Sequence, residues 1–356
     1  MPEVVTTVIV PFHRNVPMLR RVLAPFHDRA ATTELLVAGD GPIDVAWEAA
    51  VDAVGGRRIG WPNAQGPAVA RNRAASVASG RYLIFVDGDV IAEPGVVARV
   101  EAYFHAHPET GAVFGAYDES PEDPGFMSQY RNLQHRYVHR VNVGEVRTFW
   151  AGLGAVRRDA FLAVGGYDER FRRPSVEDID LGYRLTAAGV RIAIDPDLNG
   201  KHLKRWTFVS SLVSDVRDRG VPWTQLINRY GGLTTDLNLS WALRASVVTA
   251  YLVLIGLVGA VVDARALWLA AGAFVAMVAL NLGYYSHFER IRGPWFAVRV
   301  VGAHLVHHLC NGVSFVVGHV LFGAARHLGM RTSWTLPQTP PASPLPRWRI
   351  DEAPQA

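Results

Sequence analysis

The stretch Tyr82-Leu83-Ile84-Phe85-Val86-Asp87-Gly88-Asp89 is an unbroken apolar run that stops abruptly at two carboxylates. A short apolar run closed by a turn, with β-branched and aromatic members, reads as a buried strand. The segments before it alternate in type. Residues 4–11 read as a β-branched strand, 16–26 have helical apolar spacing, and 35–38 form a short buried strand ending in Gly39-Asp40-Gly41. Helices are expected around 45–54 and over 66–79, where Ala68, Ala70, Ala74 and Ala75 suit close packing. Strands alternating with helices indicate βαβ units and a parallel sheet. Ligands of such sheets bind beyond the carboxyl ends of the strands. His13, Asp40 and Asp87 each lie just past a strand end, which predicts a nucleotide-sized site.

Working outward towards the C-terminus, the pattern becomes mixed. Strands are expected near 112–116 and 191–194, a polar segment with aromatics over 126–143, and a further stretch over 148–156. Short helices are expected over 159–164, closing at Gly165-Gly166, and over 179–188, ending at Gly189.

Three constellations carry chemistry. In Asp87-Gly88-Asp89, two carboxylates one residue apart on a turn can both face one divalent cation, and glycine lets the backbone bend. Hard oxygen ligands suit Mg2+ or Mn2+, which bind substrate phosphates as well. The plain alternative is an acidic surface turn; the buried strand before it favours the metal. The second is Ser175-Val176-Glu177-Asp178-Ile179-Asp180, where a carboxylate can act as general base towards an acceptor hydroxyl. The same residues make a good helix start, since acids favour the positive end of the dipole. The third is Lys201-His202-Leu203-Lys204-Arg205-Trp206. His202 is a candidate third metal ligand, and Lys204, Arg205 and Trp206 are candidates for phosphate or acceptor contact. A basic segment at a membrane surface, with Trp206 as its anchor, is the alternative.

The chain has 356 residues, of which 49% are hydrophobic and 19% charged. That apolar content excludes disorder as the dominant state, and a single cysteine excludes a disulfide-built fold. The net charge is +4, carried by scattered arginines without a basic stripe or a DNA-binding motif, so no nucleic-acid partner is expected.

On these residues the sequence resembles a family 2 glycosyltransferase of the GT-A fold, from Val5 to about Trp206. Thr7-Val8-Ile9-Val10-Pro11-Phe12, Val37-Ala38-Gly39-Asp40-Gly41, Ala70-Arg71-Asn72 and Asp87-Gly88-Asp89 come in the family's order. Ala151-Gly152, Gly165-Gly166-Tyr167-Asp168-Glu169, Glu177-Asp178 and His202 complete it. The resemblance implies an α/β, Rossmann-like, mostly parallel sheet with helices on both faces. It implies transfer of a sugar, with inversion, from a nucleotide-diphospho-sugar donor. Pro11, Phe12, His13, Arg14, Asp40 and Arg71 would hold the nucleoside and diphosphate, with Gly152 under the donor sugar. Asp89 would bind Mg2+ or Mn2+ directly, Asp87 would contact metal or ribose, and His202 would complete the shell. Asp178 is the expected base, with Glu177 beside it. Two departures stand out: Gly39-Asp40 replaces two adjacent acids, and no Gln-x-x-Arg-Trp precedes the apolar end, which argues for single transfers.

The apolar surplus sits at that end. Residues 245–262 and 266–285 are free of charge, and so are 300–325 with neutral histidines. A spanning helix needs about 20 mainly apolar residues. Residues 8–12 are not expected to be a signal peptide, lacking a preceding basic region. The expected organisation is a catalytic domain over 1–205 and an amphipathic interfacial linker over 206–240. A membrane domain of two to three spans over 241–325 follows, then a Pro-rich, disordered tail over 326–356. The arginines flanking the spans put the catalytic domain on the cytoplasmic side of a cell (inner) membrane, as a multi-pass protein. Arg326 and Arg331 after a third span conflict with that rule. The expected acceptor is lipid-linked or a membrane-proximal glycan. The rival readings are a polyprenyl-phosphate sugar transferase and a non-catalytic nucleotide-binding membrane scaffold.

Overall fold

The structure, a computed structural model, describes residues 3–42, 44–231, 240–341 and 343–345. The chain divides into two units: Met1–Arg205 with Thr339–Ala356, and Trp206–Gln338. Expectations for 232–239 of the linker and 346–356 of the tail lie outside the described residues.

The first unit opens with β1 (Thr6–Phe12), α1 (Val16–Leu23), β2 (Thr33–Asp40), α2 (Val45–Asp52), β3 (Arg57–Trp61), α3 (Pro67–Val77) and β4 (Tyr82–Val86). Local chemistry starts the helices. Asn15 caps α1 by accepting from the Met18 amide, and Asp44 caps α2 by accepting from the Trp47 amide at 2.8 Å. β5 (Val90–Ala92), α4 (Val96–Ala106), β6 (Thr110–Tyr117), α5 (Phe126–Val141), β7 (Gly144–Val146) and β8 (Leu153–Arg157) follow. The unit is completed by α6 (Arg158–Ala163), α7 (Glu177–Ala187) and β9 (Arg191–His202).

These strands form one nine-stranded sheet in the order β3-β2-β1-β4-β8-β6-β9-β5, with β7 also on β9. β3, β2, β1 and β4 are mutually parallel, as the βαβ pattern requires. The other half is mixed, because β8 enters antiparallel between β4 and β6 and β5 pairs antiparallel with β9. β1 and β4 are buried along nearly their whole length. Strands covered on both faces read as continuous apolar runs, which is why 82–86 was so legible.

The second unit consists of α8 (Phe208–Val213), a π-helical stretch (Ser214–Gly220), α9 (Val221–Arg229), α10 (Trp241–Gly259), α11 (Ala266–Leu280), α12 (Leu282–Arg292) and α13 (Pro294–Leu328). The π-helix interrupts the 3.6-residue period on which the amphipathic reading of the linker rests. Val209 and Val213 remain exposed while Asp215 turns inward. α10 and α13 are each long and apolar enough to cross a membrane. The second expected span is instead broken: α11 and α12 meet at a 68° bend. The break is at Asn281, whose buried amide donates to Ser246 Oγ at 2.7 Å and to the Met277 carbonyl at 2.8 Å.

Candidate active site

The ends of β1, β2 and β4 bring the first group of residues together. Gly88 has no room for a side chain, because a Cβ would lie 2.7 Å from the Pro11 carbonyl oxygen. The strand-end turn at Asp87-Gly88-Asp89 therefore presses against the end of β1. Phe12 is buried and stacks on Trp47, and His13 Nδ1 lies 2.6 Å from the Asp40 carbonyl oxygen. Arg14 adopts φ 68°, a left-handed conformation rare for a side chain of its size.

Asp40 turns its carboxylate to the backbone. It accepts from the Gln65 amide at 2.6 Å and from the Gly66 amide at 3.0 Å, fixing the loop that leads into α3. Arg71, expected on the donor, is 4% exposed and spends its fork within the protein. Its Nη2 donates to Asp87 Oδ1 at 2.5 Å and its Nη1 to Glu177 Oε1 at 3.2 Å. Burial alone would lower its pKa, but Asp87, Tyr167 and Glu177 outweigh that and hold it charged.

The Asp87 amide donates to the Gly152 carbonyl at 3.1 Å, which joins the turn to the loop before β8. Gly152 is required there, since a Cβ would meet the Trp150 ring at 2.2 Å. The neighbouring Ala151 amide donates to Asp178 Oδ2 at 3.3 Å, and the Ile179 amide to Asp178 Oδ1 at 2.8 Å. The three acids at the start of α7 thus separate. Glu177 is buried, held by Arg71 and by the Ser175 amide at 2.8 Å. Asp180 is buried against Arg184 at 2.9 Å. Asp178 alone of the three is partly exposed.

Asp89 and His202 approach through their side chains, Oδ2 to Nε2, at 3.6 Å, and the Leu203 amide donates to the Asp89 carbonyl at 2.8 Å. Burial pushes the Asp89 carboxyl up, but His202 and Lys204 outweigh it and hold it below the usual carboxylate range. Among the described residues, no group of three or more His, Cys, Asp or Glu converges on one point. One carboxylate and one imidazole nonetheless fit Mg2+ or Mn2+, which keep waters and draw further oxygens from substrate phosphates. Asp87 Oδ1 is engaged by Arg71, while the side chain stays 29% exposed. Arg205 is exposed, with its Nε 3.6 Å from Asp123, and Trp206 opens the second unit.

Two features were missed by sequence reasoning. Tyr117, at the end of β6, stacks on His202 with ring centroids 4.2 Å apart, and His135 and Trp150 pack against it at 4.5 and 4.9 Å. The strand-end rule that singled out Asp87 would have found Tyr117. Tyr167 lies fully buried with the Arg71 guanidinium 5.3 Å above its ring, and its hydroxyl has no hydrogen-bond partner among the described residues. Burial, with Asp178, Asp87 and Glu177 against the opposing Arg71, pushes that hydroxyl well above its ordinary pKa.

Residues 7–165 match the family model described as glycosyl transferase family 2. The pre-mycofactocin glycosyltransferases of two Mycobacterium tuberculosis strains, CDC 1551 / Oshkosh and ATCC 25618 / H37Rv, are each 24% identical over 290 residues. Those alignments cover 78% of this chain and 53% of the relatives, so the chain spans about half their length. Among solved structures, the mannosyltransferase PcManGT from Pyrobaculum calidifontis, in complex with GDP-Man and Mn2+, superposes with a TM-score of 0.56 at 16% identity. That similarity covers 87% of this chain and 86% of that one, and it shows a shared fold.

Proposed function

We propose, from the match of residues 7–165 to the glycosyl transferase family 2 model, that this chain is an inverting, metal-dependent glycosyltransferase. It moves a sugar from a nucleotide-diphospho-sugar to a lipid-linked or membrane-proximal acceptor. The observation that carries the reading is the sorting of the carboxylates at α7. Glu177 and Asp180 are buried in ion pairs, while Asp178 is partly exposed and oriented by the Ala151 amide.

In this reading Asp178 Oδ accepts the proton of the acceptor hydroxyl as the new C–O bond forms. The anomeric carbon–phosphate oxygen bond breaks on the opposite face, and the nucleoside diphosphate leaves with the electron pair. The Ala151 and Ile179 amides, which donate to its two oxygens, fix the direction in which Asp178 faces the acceptor. Asp89 and His202 would hold the metal, and Lys204 adds positive charge beside the leaving phosphates. A bound Mg2+ or Mn2+ supplies neutralisation of the charge that develops there. PcManGT, solved with GDP-Man and Mn2+, supports a donor and metal of this kind. Arg71 holds Asp87 and Glu177 in register instead of meeting the donor. Two helices of the second unit, α10 and α13, are long and apolar enough to cross a membrane, which supports a membrane location. The catalytic unit faces the cytoplasm, where nucleotide sugars are made.

Asp178→Asn tests this directly. Donor turnover should fall at least a thousandfold while nucleotide binding, measured by calorimetry with Mn2+, stays within about twofold. Turnover at the wild-type rate removes Asp178 as the base. A product of retained anomeric configuration removes the inverting mechanism.

A further inference from the structure

The chain leaves its first unit at Arg205 and returns to it at Thr339. The return is anchored within that unit: Arg170 Nη2 donates to the Thr339 carbonyl at 2.7 Å, and the Leu345 amide donates to the Leu162 carbonyl at 2.9 Å. A segment that begins and ends on one body, on one side of a bilayer, crosses that bilayer an even number of times. Three apolar segments lie in between: α10, the bent pair α11 and α12, and α13. They cannot all cross.

The α10–α11 hairpin has the character of a membrane element. Val258, Val261, Val262, Trp268 and Val275 are exposed along it. Its arms meet through small residues, since a Cβ on Gly256 would lie 2.6 Å from the Ala270 backbone nitrogen, the close approach that lipid-embedded helices use. At 19 residues α10 is about 28 Å long, close to the roughly 30 Å of hydrocarbon. α11 is shorter, at 15 residues, a mismatch that local bilayer thinning absorbs.

α13 differs. His304 and His308 are 2% and 0% exposed, and both ring nitrogens of His308 lack a partner among the described residues. His304 Nδ1 lies 3.1 Å from Tyr285 Oη, and His307 Nδ1 lies 2.9 Å from Asp215 Oδ2. Gly318 packs on Thr224, and Gly220 on Ser314. α13 therefore runs along the π-helical stretch and α9, a segment bearing Asp215, Arg217, Asp218 and Arg219. Beyond its end, Gln225 donates to the Trp334 carbonyl at 2.8 Å and accepts from the Leu336 amide at 2.9 Å. Buried imidazoles and ion pairs are costly in hydrocarbon.

We propose that the α10–α11 hairpin alone crosses the bilayer, with hydrocarbon covering its apolar surface. α13 lies along the catalytic side with its histidine face turned inward, and the tail returns to the first unit. This rests on the membrane-anchored reading above. It also removes a charge conflict. Arg244, Arg290, Arg292, Arg299, Arg326 and Arg331 all fall on the catalytic side, and the hairpin turn carries Arg265 beside Asp263, as the positive-inside rule favours.

Single cysteines introduced in a Cys310→Ser background at Asp28, Val262, Trp295 and Arg331 test it, with a membrane-impermeant maleimide on sealed cells before and after permeabilisation. Asp28→Cys, Trp295→Cys and Arg331→Cys should label from one side and Val262→Cys from the other. Trp295→Cys labelling with Val262→Cys overturns the proposal in favour of crossings by α10 and α13. Arg331→Cys labelling opposite to Asp28→Cys overturns the proposal in favour of three crossings. Val262→Cys labelling with Asp28→Cys overturns the crossing hairpin. Release of the wild-type chain by alkaline carbonate sinks the anchored reading itself, apart from any topology.

Discussion

Arg71 Nη1 donates to Glu177 Oε1 at 3.2 Å across 106 residues of sequence, tying α3 to the start of α7. The same guanidinium holds Asp87 through its second nitrogen. One buried cation thus sets the spacing between the turn proposed to face the metal and the helix proposed to carry the base.

Removing that cation strands two carboxylates. Arg71→Met should destabilise the first unit by about 3–5 kcal/mol, the cost of breaking a buried ion pair on one side. Arg71→Lys should recover only part of it, since an ammonium lacks the two-pronged geometry. Denaturant melts of the three proteins check both statements.

Glu177 and Asp178 should respond in opposite ways. Glu177→Gln weakens its bonds to Arg71 and the Ser175 amide, so the melting temperature falls with turnover reduced only in proportion to folded protein. Asp178→Asn should leave the melt within about 1 kcal/mol and remove turnover. Thermal scans beside donor-turnover assays separate the two.

Asp40 acts through the loop it holds. Asp40→Ala frees the Gln65 and Gly66 amides and loosens the loop into α3, and the donor KM should rise about tenfold, or ~1.4 kcal/mol of binding. Gly66→Ala should behave similarly, because Gly66 has φ 101° and a Cβ there would lie 2.7 Å from the Arg172 carbonyl oxygen. Steady-state kinetics resolving KM from kcat provides the check.

Asp89 gives a pH signature. Its carboxyl is held below its ordinary value of 3.8, so the folded state binds that proton less readily than the unfolded chain. The resulting stability is fully present above about pH 5 and is lost as the pH falls through the lowered folded value. The stability gap between wild type and Asp89→Asn should therefore narrow from pH 5 towards pH 2, as followed by acid-unfolding curves.

The parallel half of the sheet is legible because β1, β2 and β4 carry apolar runs and the turns after β2 and β4 carry glycine and aspartate. β3 is not, since Arg57-Arg58-Ile59-Gly60-Trp61 lacks both alternation and an apolar run. From sequence, β9 is legible only as far as Ile194. Asp195-Pro196-Asp197 looks like a break, yet the strand continues because Arg99 draws Asp195 inward at 2.7 Å while β6 shifts register beside it. Residues 126–143 look like a polar segment in sequence; α5 forms there because Arg131, Arg136 and His139 are buried with their own partners. At the site, the residue types were readable but their pairings were not. Nothing local in Ala70-Arg71-Asn72 says that Arg71 turns to Asp87 and Glu177, because both partners arrive by tertiary folding.

The most direct measurement is nucleoside diphosphate release by the purified chain from a broad panel of nucleotide sugars, with Mn2+ and with EDTA. The account predicts release from at least one donor with Mn2+, its loss in EDTA, its recovery on adding the metal back, and its absence in Asp178→Asn. Release from no donor, or equal release by Asp178→Asn, would contradict it.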